Sequence, residues 1–197
     1  MHEPALLRPD NRLFVALDLS EDLRHLLAAV GASVETYGSA RAVPAQNLHV
    51  TLAFLGRVEP ASAARLVGDV AAALDGPRGR VRATRIVARP RASAARLVAV
   101  ELDDLDGAVV AAAERVRAAV GDTGEGGRPF WPHVTVARFG RPERVRGFPS
   151  FDGEHVFDIT RASLYDSFIT PGRPPRYEAL VSVGLGGSLT ERSSSHG

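Results

Sequence analysis

Apolar and polar residues change their spacing several times along the chain, and each change marks an element. Residues 12–19 read RLFVALDL, an apolar run rich in strand formers that ends at Asp18 and Ser20. A strand is predicted there, followed by a helix that Ser20 caps and that carries Glu21 and Asp22 in its first turn. Leu23, Leu26, Leu27, Val30 and Val34 then recur at three- and four-residue spacing before Gly38, which predicts a helix over 21–37. NLHVTLAFL at 47–55, closed by Gly56, reads as a second strand. A second helix is predicted over 61–74, opened by Glu59 and Pro60 and ended by Asp75-Gly76-Pro77.

Two strands over 80–88 and 96–102 flank a turn at Arg89-Pro90-Arg91, and a third helix over 105–120 stops at Gly121. The glycines at 124, 126 and 127 make 121–128 a mobile loop in this reading. Further strands are predicted over 132–139, 154–165 and 177–183. The order is strand–helix–strand–helix–strand, then strand–helix–strand–strand–strand, an α+β pattern with an internal duplication. One domain over 12–185 is expected, after an N-terminal extension of residues 1–11. The Gly- and Ser-rich residues 186–197 are expected to form a disordered tail.

Composition narrows the chemistry. With 45% hydrophobic residues in 197, the chain suits one compact domain or two lobes sharing a core. Its net charge of +1 gives no whole-molecule pull on a polyanion, so any nucleic-acid contact must be local. All 24 basic residues are arginine, which excludes the phosphate-cradling lysine of a P-loop and Schiff-base chemistry. Cysteine is absent, so disulfides, thiol nucleophiles and cysteine metal sites are excluded. No G-x-S-x-G occurs, which disfavours a serine hydrolase. No stretch approaches the ~20 apolar residues of a membrane span, and a soluble cytoplasmic protein without membrane contact is expected.

Residues 49–56 (HVTLAFLG) and 133–140 (HVTVARFG) are identical at five of eight positions and lie 84 residues apart. On a strand, His49 and Thr51 share one face while Val50 and Leu52 share the other, and His133 and Thr135 repeat this against Val134 and Val136. One such histidine alone is more often a core residue with a backbone partner. Two on related strands suit displacement at phosphorus: a neutral imidazole accepts a proton from water, a protonated one donates to the leaving oxygen, and the threonines bind phosphate oxygens. The remaining histidines, at 2, 25, 155 and 196, stand at no metal-ligand spacing with either motif, and no metal is expected.

These motifs, with Arg12-Leu13-Phe14-Val15-Ala16, Asn47-Leu48 and Pro132 before the histidines, and Leu164-Tyr165-Asp166-Ser167 and Tyr177 toward the end, resemble the 2H phosphoesterase superfamily. Within it, the chain is similar to the LigT/ThpR family of RNA 2′,3′-cyclic phosphodiesterases. The resemblance implies a bilobal, duplicated α+β fold in which two antiparallel sheets form a V-shaped cleft with helices outside. It also implies a reaction without a metal; no cofactor and a monomer are expected. The implied substrate is RNA with a 2′,3′-cyclic phosphate end, or a cyclic nucleotide, hydrolysed to a 2′-phosphomonoester, with 2′–5′ RNA ligation as the reverse reaction. Carried over, His49 is the proton donor, His133 the proton acceptor, and Thr51 and Thr135 are phosphate ligands. Position 131 is Trp where the family more often has a basic residue.

Other candidates are weaker. Arg138 suits a phosphate and matches a frequent family arginine, although on an ideal strand it faces away from His133. Phe54, Phe130, Trp131 and Tyr165 are candidate base-stacking platforms, each more often core or cleft wall. Residues 76–100 carry Arg78, Arg80, Arg82, Arg85, Arg89, Arg91 and Arg96 with no acidic residue, a stripe that suits an RNA backbone or a solvated strand face. Two other functions fit the same motifs: a nucleotide- or RNA-end-binding module without turnover, and a 2H enzyme for another cyclic phosphate or a 2′–5′ oligonucleotide.

Overall fold

The computed structural model describes residues 10–121, 129–148, 151 and 154–186. Most of the N-terminal extension, the glycine-rich loop after Gly121 and the expected tail beyond Gly186 therefore lie outside the described residues. Nine strands and three helices are described: β1 Leu13–Asp18, α1 Glu21–Val34, β2 Ala40–Ala42, β3 His49–Gly56, α2 Ala63–Leu74, β4 Gly79–Arg89, β5 Ala95–Asp104, α3 Ala108–Val120, β6 His133–Glu143, β7 Val156–Ile159, β8 Arg161–Phe168 and β9 Arg176–Gly184. They form two antiparallel sheets, of order β3-β1-β8-β9 and β2-β6-β5-β4-β7.

The core explains the apolar runs. All six residues of β1 are buried, as its place between β3 and β8 requires. Ser20 accepts a hydrogen bond from the Leu23 amide at 3.4 Å, the N-cap its position predicted. Leu23, Leu27, Val30, Gly31 and Val34 then form the buried stripe of α1. This helix follows a strand of the first sheet but packs on β2, β5 and β6 of the second. Gly31 permits the approach: a Cβ there would stand 2.7 Å from the Val136 carbonyl oxygen. In return α3, which follows β5 of the second sheet, packs against β3 of the first and against α2.

The first helix ends at Val34, three residues before its expected end at 37, and three further sequence expectations change. The single strand expected over 154–165 is two strands, because the chain leaves one sheet for the other at Thr160: β7 pairs with β4, whereas β8 lies between β1 and β9. Both pieces are rich in strand formers, so propensity alone does not mark the switch. The third helix begins at Ala108, after Gly107 in the left-handed conformation (φ 77°), with Asp104 and Asp106 accepting from the Val110 and Ala108 amides. Finally β2, three residues long, pairs with β6 and is too short to leave a periodic signal.

The duplication is visible in the pairing. In the first half, β1 runs antiparallel to β3 with Asp18 opposite His49, Leu17 opposite Val50 and Ala16 opposite Thr51. In the second, β5 runs antiparallel to β6 with Glu101 opposite His133, Val100 opposite Val134 and Ala99 opposite Thr135. Both ladders then slip by one residue, so that Val15 faces Ala53 and Val98 faces Ala137. Leu52 and Val136 are thus the extra residues of two equivalent β-bulges.

Candidate active site

The two motif strands approach each other where the sheets meet and open on a cleft of about 1270 Å³. His49, Thr51, His133 and Thr135 all line it, and none of the three helices does. The bulges decide what else reaches the cleft. Leu52 and Ala53 are buried in succession, as are Val136 and Ala137, so the in–out alternation restarts one residue late. Phe54 and Arg138 therefore join the face of their histidines and line the cleft. The regular-strand expectation for Arg138 is corrected by this bulge. Both bulge carbonyls are satisfied: the Arg117 Nε donates to Leu52 O at 3.2 Å and the Val43 amide donates to Val136 O at 2.8 Å.

Each imidazole is held in the same way. His49 Nδ1 lies 2.7 Å from Asn47 O, and His133 Nδ1 lies 2.7 Å from Trp131 O. A carbonyl only accepts, so Nδ1 carries the hydrogen in each ring and Nε2 is the nitrogen left for proton exchange. His49 Nε2 is 3.0 Å from Thr51 Oγ1. Burial pushes the His49 pKa down to about 4; Arg138 and His133 add to the effect, while the Asn47 carbonyl and Asp18 oppose it. His133 is also lowered, first by burial and then by Arg89 and Arg138, against the Trp131 carbonyl and Glu101. Both rings are neutral in the open cleft at pH 7.

The other aromatic candidates separate. Phe54 is 71% exposed on the cleft face, free to meet a base. Tyr165 and Trp131 do not line the cleft. The Tyr165 hydroxyl donates to Asp18 and its ring stacks on Phe14, which in turn lies 4.9 Å from the His49 ring. Trp131 stacks on His133 at 3.8 Å with planes 14° apart and donates Nε1–H to Glu101. Phe130 also stays outside the cleft, its ring under the Arg117 guanidinium at 5.1 Å.

None of the seven arginines in the stripe lines the cleft. Arg82 is paired with Asp103 and Glu154, Arg80 with Asp106, and Arg85 and Arg89 with Glu101. The positive charge of the cleft comes instead from Arg12, Arg41, Arg57, Arg138 and Arg173, which are scattered in sequence, with Asp10 as the one acidic lining residue among those described. Composition by segment could not have grouped them. Asp18 and Glu101 were also missed, yet a signal for them exists: VALDL at 15–19 and VAVEL at 98–102 are a second repeat. Among the described residues no three His, Cys, Asp or Glu side chains gather to hold a metal ion.

Comparison with known proteins agrees with this architecture. The family model described as LigT like Phosphoesterase matches residues 17–97. The RNA 2′,3′-cyclic phosphodiesterase of Escherichia coli K12 is 28% identical over 175 residues, covering 86% of this chain and 93% of that protein. The crystal structure of E. coli LigT in apo form superposes with a TM-score of 0.75 at 26% identity, covering 91% of this chain and all of the other. Its complex with 3′-AMP gives 0.73 at 25% identity, over 90% and 99% of the two chains. The resemblance carried by the paired motifs thus extends through sequence and fold.

Proposed function

We propose that this chain, a LigT-like 2H phosphoesterase, hydrolyses 2′,3′-cyclic phosphates at RNA ends to 2′-phosphomonoesters, with His49 as proton donor and His133 as proton acceptor. One observation carries the reading: two imidazoles, each tied at Nδ1 to the carbonyl two residues back, face one cleft with a motif threonine on the same face. In the reaction, His133 Nε2 takes a proton from water as its oxygen attacks phosphorus. The bond from phosphorus to the 3′ oxygen breaks, and His49 Nε2 gives its proton to that oxygen. Thr51, Thr135 and Arg138 hold the non-bridging oxygens, Arg138 through charge-assisted hydrogen bonds. These steps need no metal.

His49 is neutral before substrate arrives, so the donor must be charged in the complex. An anionic phosphate beside the ring supplies the condition, since a nearby negative charge favours imidazolium. The named activity of the E. coli relative, and the 3′-AMP complex of E. coli LigT, support a ribonucleotide end as the ligand.

The test is hydrolysis of a short RNA with a 2′,3′-cyclic end by EDTA-treated protein, with the product compared against 2′- and 3′-phosphate standards. A 2′-phosphate is expected. Bound but intact RNA would favour a binding module, and a 3′-phosphate would overturn the assigned leaving oxygen.

A further inference from the structure

Trp131 departs from the pattern that the resemblance implies, and it links His133 to Glu101 and Arg89, which the proposed reaction does not use. The indole lies against the His133 ring at 3.8 Å and 14°. Its Nε1–H donates to Glu101 Oε1 at 3.2 Å, and Arg89 Nη2 donates to the same oxygen at 3.1 Å. Arg85 Nε donates to Glu101 Oε2, and the Arg89 guanidinium also packs on the indole, 4.6 Å from its centroid. Glu101 is 8% exposed and stands opposite His133 in the ladder. The carboxylate is therefore fully engaged, and the aromatic ring between it and the histidine is held at both its edge and its face.

We propose that Glu101 and Trp131 are positioning residues for His133: Glu101 fixes the indole, the indole fixes the plane of the imidazole, and Nε2 is thereby aimed at the phosphate. The inference rests on the reading of His133 as the proton acceptor. The charged groups acting on that ring are Arg89 from β4, Glu101 from β5, Arg138 from its own strand β6 and, across the cleft, His49 of β3. Glu101 also offsets Arg89, a cation that opposes uptake of a proton by the ring.

A role confined to holding the fold would move stability alone. The proposal makes a signed statement instead. In Glu101→Gln the two guanidinium groups lose their counter-charge, so His133 should titrate at lower pH than in the parent. In Arg89→Gln a cation is removed, so it should titrate at higher pH. The titration is read by NMR of the imidazole, assigned by loss of the resonance in His133→Asn, and needs no substrate. The acidic limb of kcat should move the same way in each variant. Trp131→Ala should lower kcat on the order of tenfold with KM little changed, as expected for a misaimed proton acceptor, while Trp131→Phe, which keeps a ring under the imidazole, recovers most of the loss.

Unchanged His133 titration in both charge variants, or parental kcat in Trp131→Ala, overturns the proposal. If the parent protein hydrolyses no cyclic phosphate, the functional reading fails, and the NMR titration still decides whether this cluster governs His133.

Discussion

Asp18 and Glu101 occupy the same place in the two halves of the molecule, each opposite a motif histidine one strand away. Both are buried, at 7% and 8% exposure, and both are saturated by donors. Asp18 accepts from Arg161 at 2.8 Å, Ser163 at 2.9 Å and Tyr165, and Glu101 accepts from Arg85, Arg89 and Trp131. The difference lies in the charge balance: one arginine offsets Asp18, whereas two offset Glu101. Burial nonetheless depresses His49 to about 4, so the proposed donor role requires the bound phosphate to charge that ring.

The pH dependence follows from the lowered histidines. The proposed reaction needs a free form with His49 protonated, its pKa about 4, and His133 neutral, its pKa also depressed. Rising pH removes the His49 proton and falling pH protonates His133, so both limbs of kcat/KM should lie below about pH 6.5, the ordinary imidazole value. Bound phosphate raises both groups, which should displace the kcat profile to higher pH. Steady-state kinetics from about pH 4 to about pH 9 checks this. Identical profiles for the two parameters would contradict it.

Salt dependence should separate the cleft arginines from the stripe. Replacing Arg41, Arg57 or Arg173 with Gln should weaken binding of an oligonucleotide and reduce its slope in log salt by about 0.7 for each phosphate no longer neutralised. Arg82→Gln should leave the slope unchanged, since Arg82 is engaged by Asp103 and Glu154 away from the cleft. Titration of a fluorescent single strand at several salt concentrations gives both slopes.

Gly31 lies in a helix, yet its replacement should be felt in the site. A Cβ at that position meets the Val136 carbonyl at 2.7 Å, on the bulge that turns Arg138 into the cleft. Gly31→Ala should cost about 1–3 kcal/mol of stability and raise KM, as the bulge and Arg138 shift together. Denaturation with parallel kinetics checks it; Gly68→Ala, where the added Cβ meets nothing within 4 Å, serves as control and should leave KM unchanged.

The histidines, threonines and most elements were legible because strand and helix periods are local properties and the HVT repeat is short and nearly identical. Arg138 was named for the phosphate against strict alternation, which fails at a bulge, and Val136 carries no sequence mark of being one. The sheet switch at Thr160 was hidden for a related reason, since a strand-forming run has the same composition whether it serves one sheet or two. The other cleft arginines, Arg12, Arg41, Arg57 and Arg173, were not grouped because they come from separate segments, whereas the stripe that stood out along β4 turned to local carboxylates. Asp18 and Glu101 were within reach, through VALDL and VAVEL, once the repeat was followed upstream of its histidines.

The division of labour between the two imidazoles is tested most directly by changing the leaving group. His49→Ala and His133→Ala should each lose on the order of 10²-fold or more in rate on a ribose 2′,3′-cyclic phosphate. On a phosphodiester with an aryl leaving group, which departs without a proton, His49→Ala should recover much of its rate and His133→Ala should not. Equal recovery in both variants, or recovery in His133→Ala alone, would contradict the assignment of donor and acceptor.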